Sequence, residues 1–200
     1  MHITYSFHSF IKTFIFGFLV LFFRQNNLLA QSAFIENKGQ WEKEILFQSE
    51  FNSGKLLIEK NTLNYNFYDI ADLEKYLYDH HHNNLYQPNE THFIKGHCVK
   101  TKFIGSNPNS SISSSAAISE YFNYYIGNDP KKWASKVNAF NTVQINELYK
   151  NIDLKIYHLG NSYKYDFELK PGANAKEIII DYVGEKKKKI ENGNLKVKTS

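Results

Sequence analysis

The chain has 200 residues, with 24 Lys and Arg against 20 Asp and Glu, one Cys and four Pro. That length buries a core without disulfides, and a single Cys excludes a disulfide scaffold and the zinc sites built from paired cysteines. A net charge of only +4 excludes a strongly basic nucleic-acid binder and an acidic disordered chain.

Residues 1–30 carry Lys12, Arg24 and no acid, with an unbroken apolar run from Phe14 to Phe23. A membrane span needs about 20 apolar residues, so this run matches the centre of a secretory signal peptide instead. Small Ala30 makes Ala30–Gln31 the expected cut, with Leu28 at the minus-three position and no nearby Cys to take a lipid. An uncleaved anchor is the alternative. Without Lys12 and Arg24 the charge falls from +4 to +2, and no Arg remains. Arg is the side chain suited to bidentate phosphate recognition, so its loss weighs against nucleotide, nucleic-acid and phosphoryl-transfer chemistry.

The rest reads as strands and turns. Lys55–Lys60 and Leu63–Asp69 form an expected hairpin around Asn61 and Thr62. Ile70 to about Asp79 sets Ile70, Leu73 and Leu77 on one helical stripe, with Asp69 as N-cap. Residues 83–91 and the Ser-rich 106–119 read as loops, on either side of a strand over His97–Ile104. Asp129-Pro130 opens a short helix reaching about Lys136, with Pro at the tolerated first position. A strand follows over Phe140–Leu148.

Ile152–His158 and Ser162–Lys170 both alternate apolar and polar residues around Gly160-Asn161. That turn pairs Ile152 with Leu169, Leu154 with Phe167, Ile156 with Tyr165 and His158 with Tyr163. On the other face Lys155 meets Asp166 and attracts, whereas Asp153 meets Glu168 and repels. Further strands are expected over Ile178–Val183 and Leu195–Thr199, with the basic run Lys186–Lys189 as a charged turn between them. Many short strands and few helices predict an all-β, sandwich-like domain of antiparallel sheets with one or two short helical insertions, spanning residues 31–200. Because Ser200 falls inside the last strand, this domain is expected to be the N-terminal module of a longer protein.

Four segments form a recognisable set: Phe34–Trp41, Tyr125–Ser135, Tyr149–Tyr157 and Lys164–Ala173. Together they resemble the N-terminal domain of unknown function found in large bacterial surface proteins. There it precedes seven-bladed β-propeller (SBBP) repeats, PKD-like modules, or gliding-motility and type IX secretion sorting domains. The resemblance covers nearly all of residues 33–200, in the same order and spacing. It implies a non-catalytic structural or interaction module, exported and surface-associated, and supplies no catalytic residues or cofactor. The motif residues have physical roles to fill. Gly39 and Gly127 supply backbone freedom at turns, while Trp41 and Trp133 are expected as core anchors. Pro171-Gly172 ends a strand, and Asn37, Gln40, Asn128, Asp129, Pro130, Asp153, Tyr165, Asp166 and Phe167 complete the pattern.

Other candidates are weighed by their surroundings. His80, His81 and His82 suggest a metal, but helical neighbours diverge by about 100°, so at most His80 and His82 share a face on an extended segment. Cys98 and His97 face opposite ways on one strand, which leaves Cys98 as an expected buried thiol. Asp153, Asp166 and Glu168 share a face with interleaved Lys155 and Lys164, the pattern of a solvated sheet rather than a glycosidase pair. Tyr121, Tyr124, Tyr125 and Tyr157 keep a carbohydrate-binding module open as the alternative, with an accessory domain of a secreted hydrolase as a third reading. Expected partners are downstream domains of the same chain, envelope proteins or surface glycans. Nucleic acid is not among them, and contact with membrane is through the signal peptide alone.

Overall fold

The computed structural model describes residues 33–51, 53–82, 93–160 and 162–199, without the side chains of His80–His82. The signal peptide, its cut and the expected loop over 83–91 lie outside the described residues. Among the described residues twelve strands run β1 (Phe34–Glu36), β2 (Phe47–Phe51), β3 (Gly54–Glu59), β4 (Thr62–Tyr68), β5 (Gly96–Ile104) and β6 (Ser111–Tyr125). They continue as β7 (Trp133–Tyr149), β8 (Ile152–Leu159), β9 (Ser162–Leu169), β10 (Ile179–Val183), β11 (Lys187–Glu191) and β12 (Asn194–Lys198). The described residues also include an α-helix, α1 (Ile70–His82), between β4 and β5, and 3₁₀ turns over Pro130–Lys132 and Ala175–Glu177.

Ten strands make one antiparallel sheet in the order β10-β5-β4-β3-β2-β1-β7-β8-β9, with β6 also on β7; β11 and β12 form a separate ribbon. The domain is thus all-β, and its sandwich is one sheet curled on itself. Strand β7 makes this possible. Phe140 pairs with Ala117 of β6 and with Phe34 of β1, while Thr142 pairs with Ser115 of β6 and Tyr157 of β8. A strand has only two edges, so β1 and β8 dock in succession on the edge opposite β6. From that line the sheet parts into two wings that close over a shared core.

The core holds Phe34, Leu56, Ile58, Leu63 and Phe103 from one wing and Ile152, Leu154 and Ile156 from the other, with Val143, Ile145 and Leu148 of β7. Aromatic edges lock the wings: Phe103 meets Phe167 at 6.0 Å and Phe51 meets Tyr163 at 5.6 Å. Polar tips also meet across the core. The Tyr149 hydroxyl donates to the carbonyls of Ile104 (3.2 Å) and Ile179 (3.1 Å), and the Tyr165 and Tyr182 hydroxyls lie 3.0 Å apart. Burial raises the Tyr165 phenol far above its ordinary range, so it stays a neutral hydrogen-bonding group.

The β8–β9 hairpin forms in the expected register from Ile152–Leu169 to His158–Tyr163, with Gly160 at φ 58° in the turn. On its charged face Lys155 stands opposite Asp166 and Asp153 opposite Glu168, as expected, but the attractive contacts differ. Asp153 is buried, and Lys155 reaches diagonally to Glu168 at 3.7 Å, because Asp166 accepts the Tyr157 hydroxyl at 2.8 Å. The β3–β4 hairpin and α1 also form, and the Asp69 carboxylate accepts from the N–H groups of Ala71 and Asp72 as the N-cap.

Three expectations about secondary structure are overturned. The Ser-rich loop is a turn only to Ser110, and from Ser111 it becomes β6, paired along β7. Serine hydroxyls suit its solvent-facing side, where Asn146 donates to Ser113 at 3.0 Å, while Ile112, Ser114 and Ile118 are half-buried. The helix from Asp129 stops at Lys132, and Trp133–Lys136 is already strand, since pairing Trp133 with Tyr125 satisfies the backbone that a helix would use. The basic run is no turn either: Lys187–Lys189 lie in β11, whose turn to β12 is Asn192-Gly193.

Candidate functional site

The first recognisable segment meets the strands that flank the second, although about 100 residues of chain separate them. Asn37 organises the first. Its Nδ2 donates to the carbonyls of Ile45 (2.7 Å), Glu42 (2.9 Å) and Trp41 (3.4 Å), and its Oδ1 accepts from the N–H of Gly39 at 2.9 Å. Gln40 is buried and clamps the loop, accepting from Lys38 N–H and donating to the Glu36 carbonyl, each at 2.7 Å. Gly39 turns the chain at φ 107°, where any side chain would be strained.

The stitched loop grips the base of a two-stranded arm, residues 121–125 of β6 and 133–138 of β7. Lys38 Nζ donates to the Lys136 carbonyl at 2.7 Å and pairs with Glu36 at 2.9 Å, and Glu36 accepts from Asn138 N–H at 2.9 Å. Burial works to raise the Glu36 carboxyl pKa, but Lys38 and Asn138 outweigh it and hold the group below its ordinary value. The Trp41 ring packs edge-on to Tyr124 at 5.5 Å. We expect Asn37→Ala to cost about 1–2 kcal/mol, since three carbonyls lose a donor that water replaces only in part. Chemical denaturation measures it, and amide exchange should accelerate at Gly39 and Trp41 first.

At its far end the arm turns through Gly127 (φ 60°) and Asn128, and Asp129 caps the 3₁₀ turn by accepting from Lys131 N–H at 3.0 Å, with Pro130 at its first position. Trp133 is not a core anchor. It is 45% exposed, donates its Nε1 hydrogen to the Gly127 carbonyl at 3.2 Å and stands edge-on to Tyr125 at 5.8 Å. Ala134 and Val137 of the arm are buried, while most of its large rings stay outside. Tyr121, Phe122, Tyr125 and Ile126 are also exposed along the arm, whereas Tyr124 is half-buried.

The other recognisable segments make a polar clasp where β7 turns into β8. Asp153 is 4% exposed; its Oδ1 accepts from Glu147 N–H and Lys170 Nζ, each at 2.8 Å, and its Oδ2 from Gln144 at 2.9 Å. Glu147, at φ 52° on the irregular stretch of β7, accepts from Lys170 at 2.9 Å and from Asn151 N–H at 3.0 Å. Lys170 in turn leads into Pro171-Gly172, where Ala173 N–H closes back on the Lys170 carbonyl at 3.0 Å. The sequence marks Asp153 but not Glu147 or Lys170, which meet it only through the irregular stretch of β7 and the β8–β9 pairing.

A family comparison matches residues 34–200 to a domain of unknown function, DUF7948. The chain belongs to the DUF7948 family. No curated protein and no solved structure matches it. The four segments quoted from the sequence lie within the matched stretch, and in this DUF7948 domain their polar groups help to hold the loop, the base of the arm and the clasp together.

The remaining candidates stay apart. Cys98 is exposed, not buried, because β5 turns Val99, Thr101 and Phe103 inward and Cys98, Lys100 and Lys102 outward. The backbone of His80–His82 completes α1, so the three do not lie on an extended segment; their side chains are outside the described residues. Among the described residues no group of His, Cys, Asp and Glu converges as metal ligands, and no helix is long and apolar enough to cross a membrane. One pair that the sequence gives no sign of joins Ser49 Oγ and His158 Nε2 at 3.2 Å across 109 residues. Ser49 is fully buried, and the rings of Phe34 and Tyr163 flank the imidazole at 4.5 and 4.8 Å. Burial lowers the His158 pKa to about 4. The pair is a neutral core contact between the wings.

Proposed function

We propose that this DUF7948 domain is a non-catalytic interaction module of an exported, cell-surface multidomain bacterial protein, serving adhesion or envelope organisation. Its docking surface is the aromatic arm, and the occupant is an adjoining module of the same polypeptide. The observation that carries this reading is the use of the family segments. Their polar groups are consumed in internal hydrogen bonds that fix the arm's base, while the arm's large rings face outward. Exposed aromatic clusters of this kind mark interaction sites. The resemblance described above supplies the setting: SBBP repeats, PKD-like modules, or gliding-motility and type IX sorting domains following the domain.

Hydroxyl-radical footprinting of the full-length protein on intact cells tests the docking. Tyr125 and Trp133, 68% and 45% exposed here, should be protected. Oxidation of both at the rate of free surface rings would remove the arm as a seat. Antibody labelling of the same cells tests export, which fails if the domain is found only inside the inner membrane. The exposure of Tyr121 and Tyr125 favours a carbohydrate-binding alternative. The edge-on packing of Tyr125 against Trp133 offers no coplanar row, so a sugar would stack on single rings. Protection of the arm by added oligosaccharide in the absence of the adjoining modules would favour that alternative.

A further inference from the structure

The β11–β12 ribbon concentrates positive charge in an arrangement that is unfavourable by itself. Its register sets Lys187 directly opposite Lys198 and Lys189 directly opposite Lys196. Side chains alternate along strands, so these four lysines share one face with Glu191 and Asn194, while Lys188, Ile190, Leu195 and Val197 occupy the other. All four lysines are exposed. Like charges directly opposite destabilise a strand pair, and a two-stranded ribbon is marginal to begin with. Glu191 is the only carboxylate on the face, bonded to Lys196 and, at 3.1 Å, to Lys189. The reverse face is tied toward β10 through Lys188, which reaches Glu185 at 3.0 Å and the Tyr182 carbonyl at 3.3 Å, so the lysine face is turned outward.

We propose that the lysine face of β11–β12 is a binding surface for an acidic polysaccharide, its ammonium groups pairing with carboxylates spaced along the polymer. Neighbouring lysines stand about 7 Å apart along each strand and about 5 Å across the ribbon, an open grid that fits a chain of charges rather than one small anion. The chemistry of the face selects against other polyanions. It carries no aromatic ring on which a base stacks. The ribbon's apolar side chains Ile190 and Leu195 lie on the reverse face, so the lysines have no apolar neighbours to enter a lipid interface with them.

Biolayer interferometry with the whole chain tests this on immobilised polygalacturonate, with neutral dextran, poly(dT) and anionic phosphatidylglycerol vesicles alongside. Polygalacturonate should bind best, and raising NaCl from about 50 to about 300 mM should weaken binding at least tenfold by screening. The quadruple variant K187Q/K189Q/K196Q/K198Q should lose binding at least tenfold, while K131Q/K132Q/K136Q on the arm should not change it. Glu191→Gln should tighten binding severalfold, although it removes two ion pairs from the ribbon. The proposal is overturned by absent or salt-independent binding, by equal binding to dextran, or by stronger binding to poly(dT) or vesicles. Unchanged affinity in the quadruple variant, or weaker affinity in Glu191→Gln, overturns it equally.

Discussion

Asp153→Ala should lower the stability of the domain by about 2–3 kcal/mol, which for this size is a fall in melting temperature of roughly 6–10 °C. The carboxylate is buried and serves three donors, from Glu147 N–H, Lys170 Nζ and Gln144 Nε2. Truncation leaves all three without their acceptor and removes the charge that Lys170 faces. Asp153→Asn should cost less, since its remaining oxygen still accepts from two of them. Lys170→Met should cost less again, because Lys170 is half-exposed and Asp153 keeps its other donors.

The same groups set the response to acid. Burial pushes the Asp153 carboxyl up, but the bonds from Glu147, Lys170 and Gln144 outweigh it, and the group titrates below its ordinary value of 3.8. A depressed carboxylate stabilises the fold above that value and loses its contribution as pH falls through the lower, folded-state pKa. His158 acts earlier. Its pKa falls from 6.5 to about 4 in the fold, so its contribution is complete above 6.5 and is lost as pH drops toward 4. Melting temperature against pH should therefore decline in two stages. His158→Gln should flatten the upper stage and Asp153→Asn the lower; a single stage unaffected by either variant would contradict the assignment.

Gly54→Ala should be at least as damaging, at about 3 kcal/mol or more, for a steric reason. A Cβ on Gly54 would lie 1.9 Å from the Asn66 carbonyl oxygen and 3.0 Å from the Phe67 Cα. Both are backbone atoms of the paired strand β4, so relief requires moving β3 and β4 apart in the middle of a wing. Gly160→Ala provides the contrast. There φ is 58° and nothing lies within 4 Å, so only the backbone preference opposes a side chain, at about 1 kcal/mol. Equilibrium urea unfolding of the two variants should separate them clearly. A Gly54→Ala protein that unfolds with the parent would show that the strands yield at little cost.

These particulars explain what was legible beforehand. The β8–β9 register could be read because apolar residues alternate on both sides of one turn, and a slip would bury lysines. Strand β6 could not, since its pairing comes from β7 and its serines carry no alternation of their own. The lysine strand β11 was hidden for the same reason. Cys98 reads as buried, yet the inward set on β5 begins one residue later, at Val99. Asn37, Gly39, Trp41, Gly127 and Trp133 stood out as a pattern, yet their joint work depends on Glu36 meeting Asn138 across 102 residues. Nothing local announces such a contact, nor the pairing of Ser49 with His158.

The chain leaves the sheet into helix α1 after Tyr68 and rejoins it at Gly96. Tyr68 pairs with Gly96, and Asp69 N–H donates to the Lys95 carbonyl at 2.8 Å. The excursion is therefore closed at its neck, and the β4–β5 register is set without reference to what lies between. Entropy penalises such loops only logarithmically, about 2 kcal/mol for a tenfold increase in length. Residues 69–95 are thus the place where this architecture can accept extra sequence, natural or grafted, while the curled sheet behind it keeps its form.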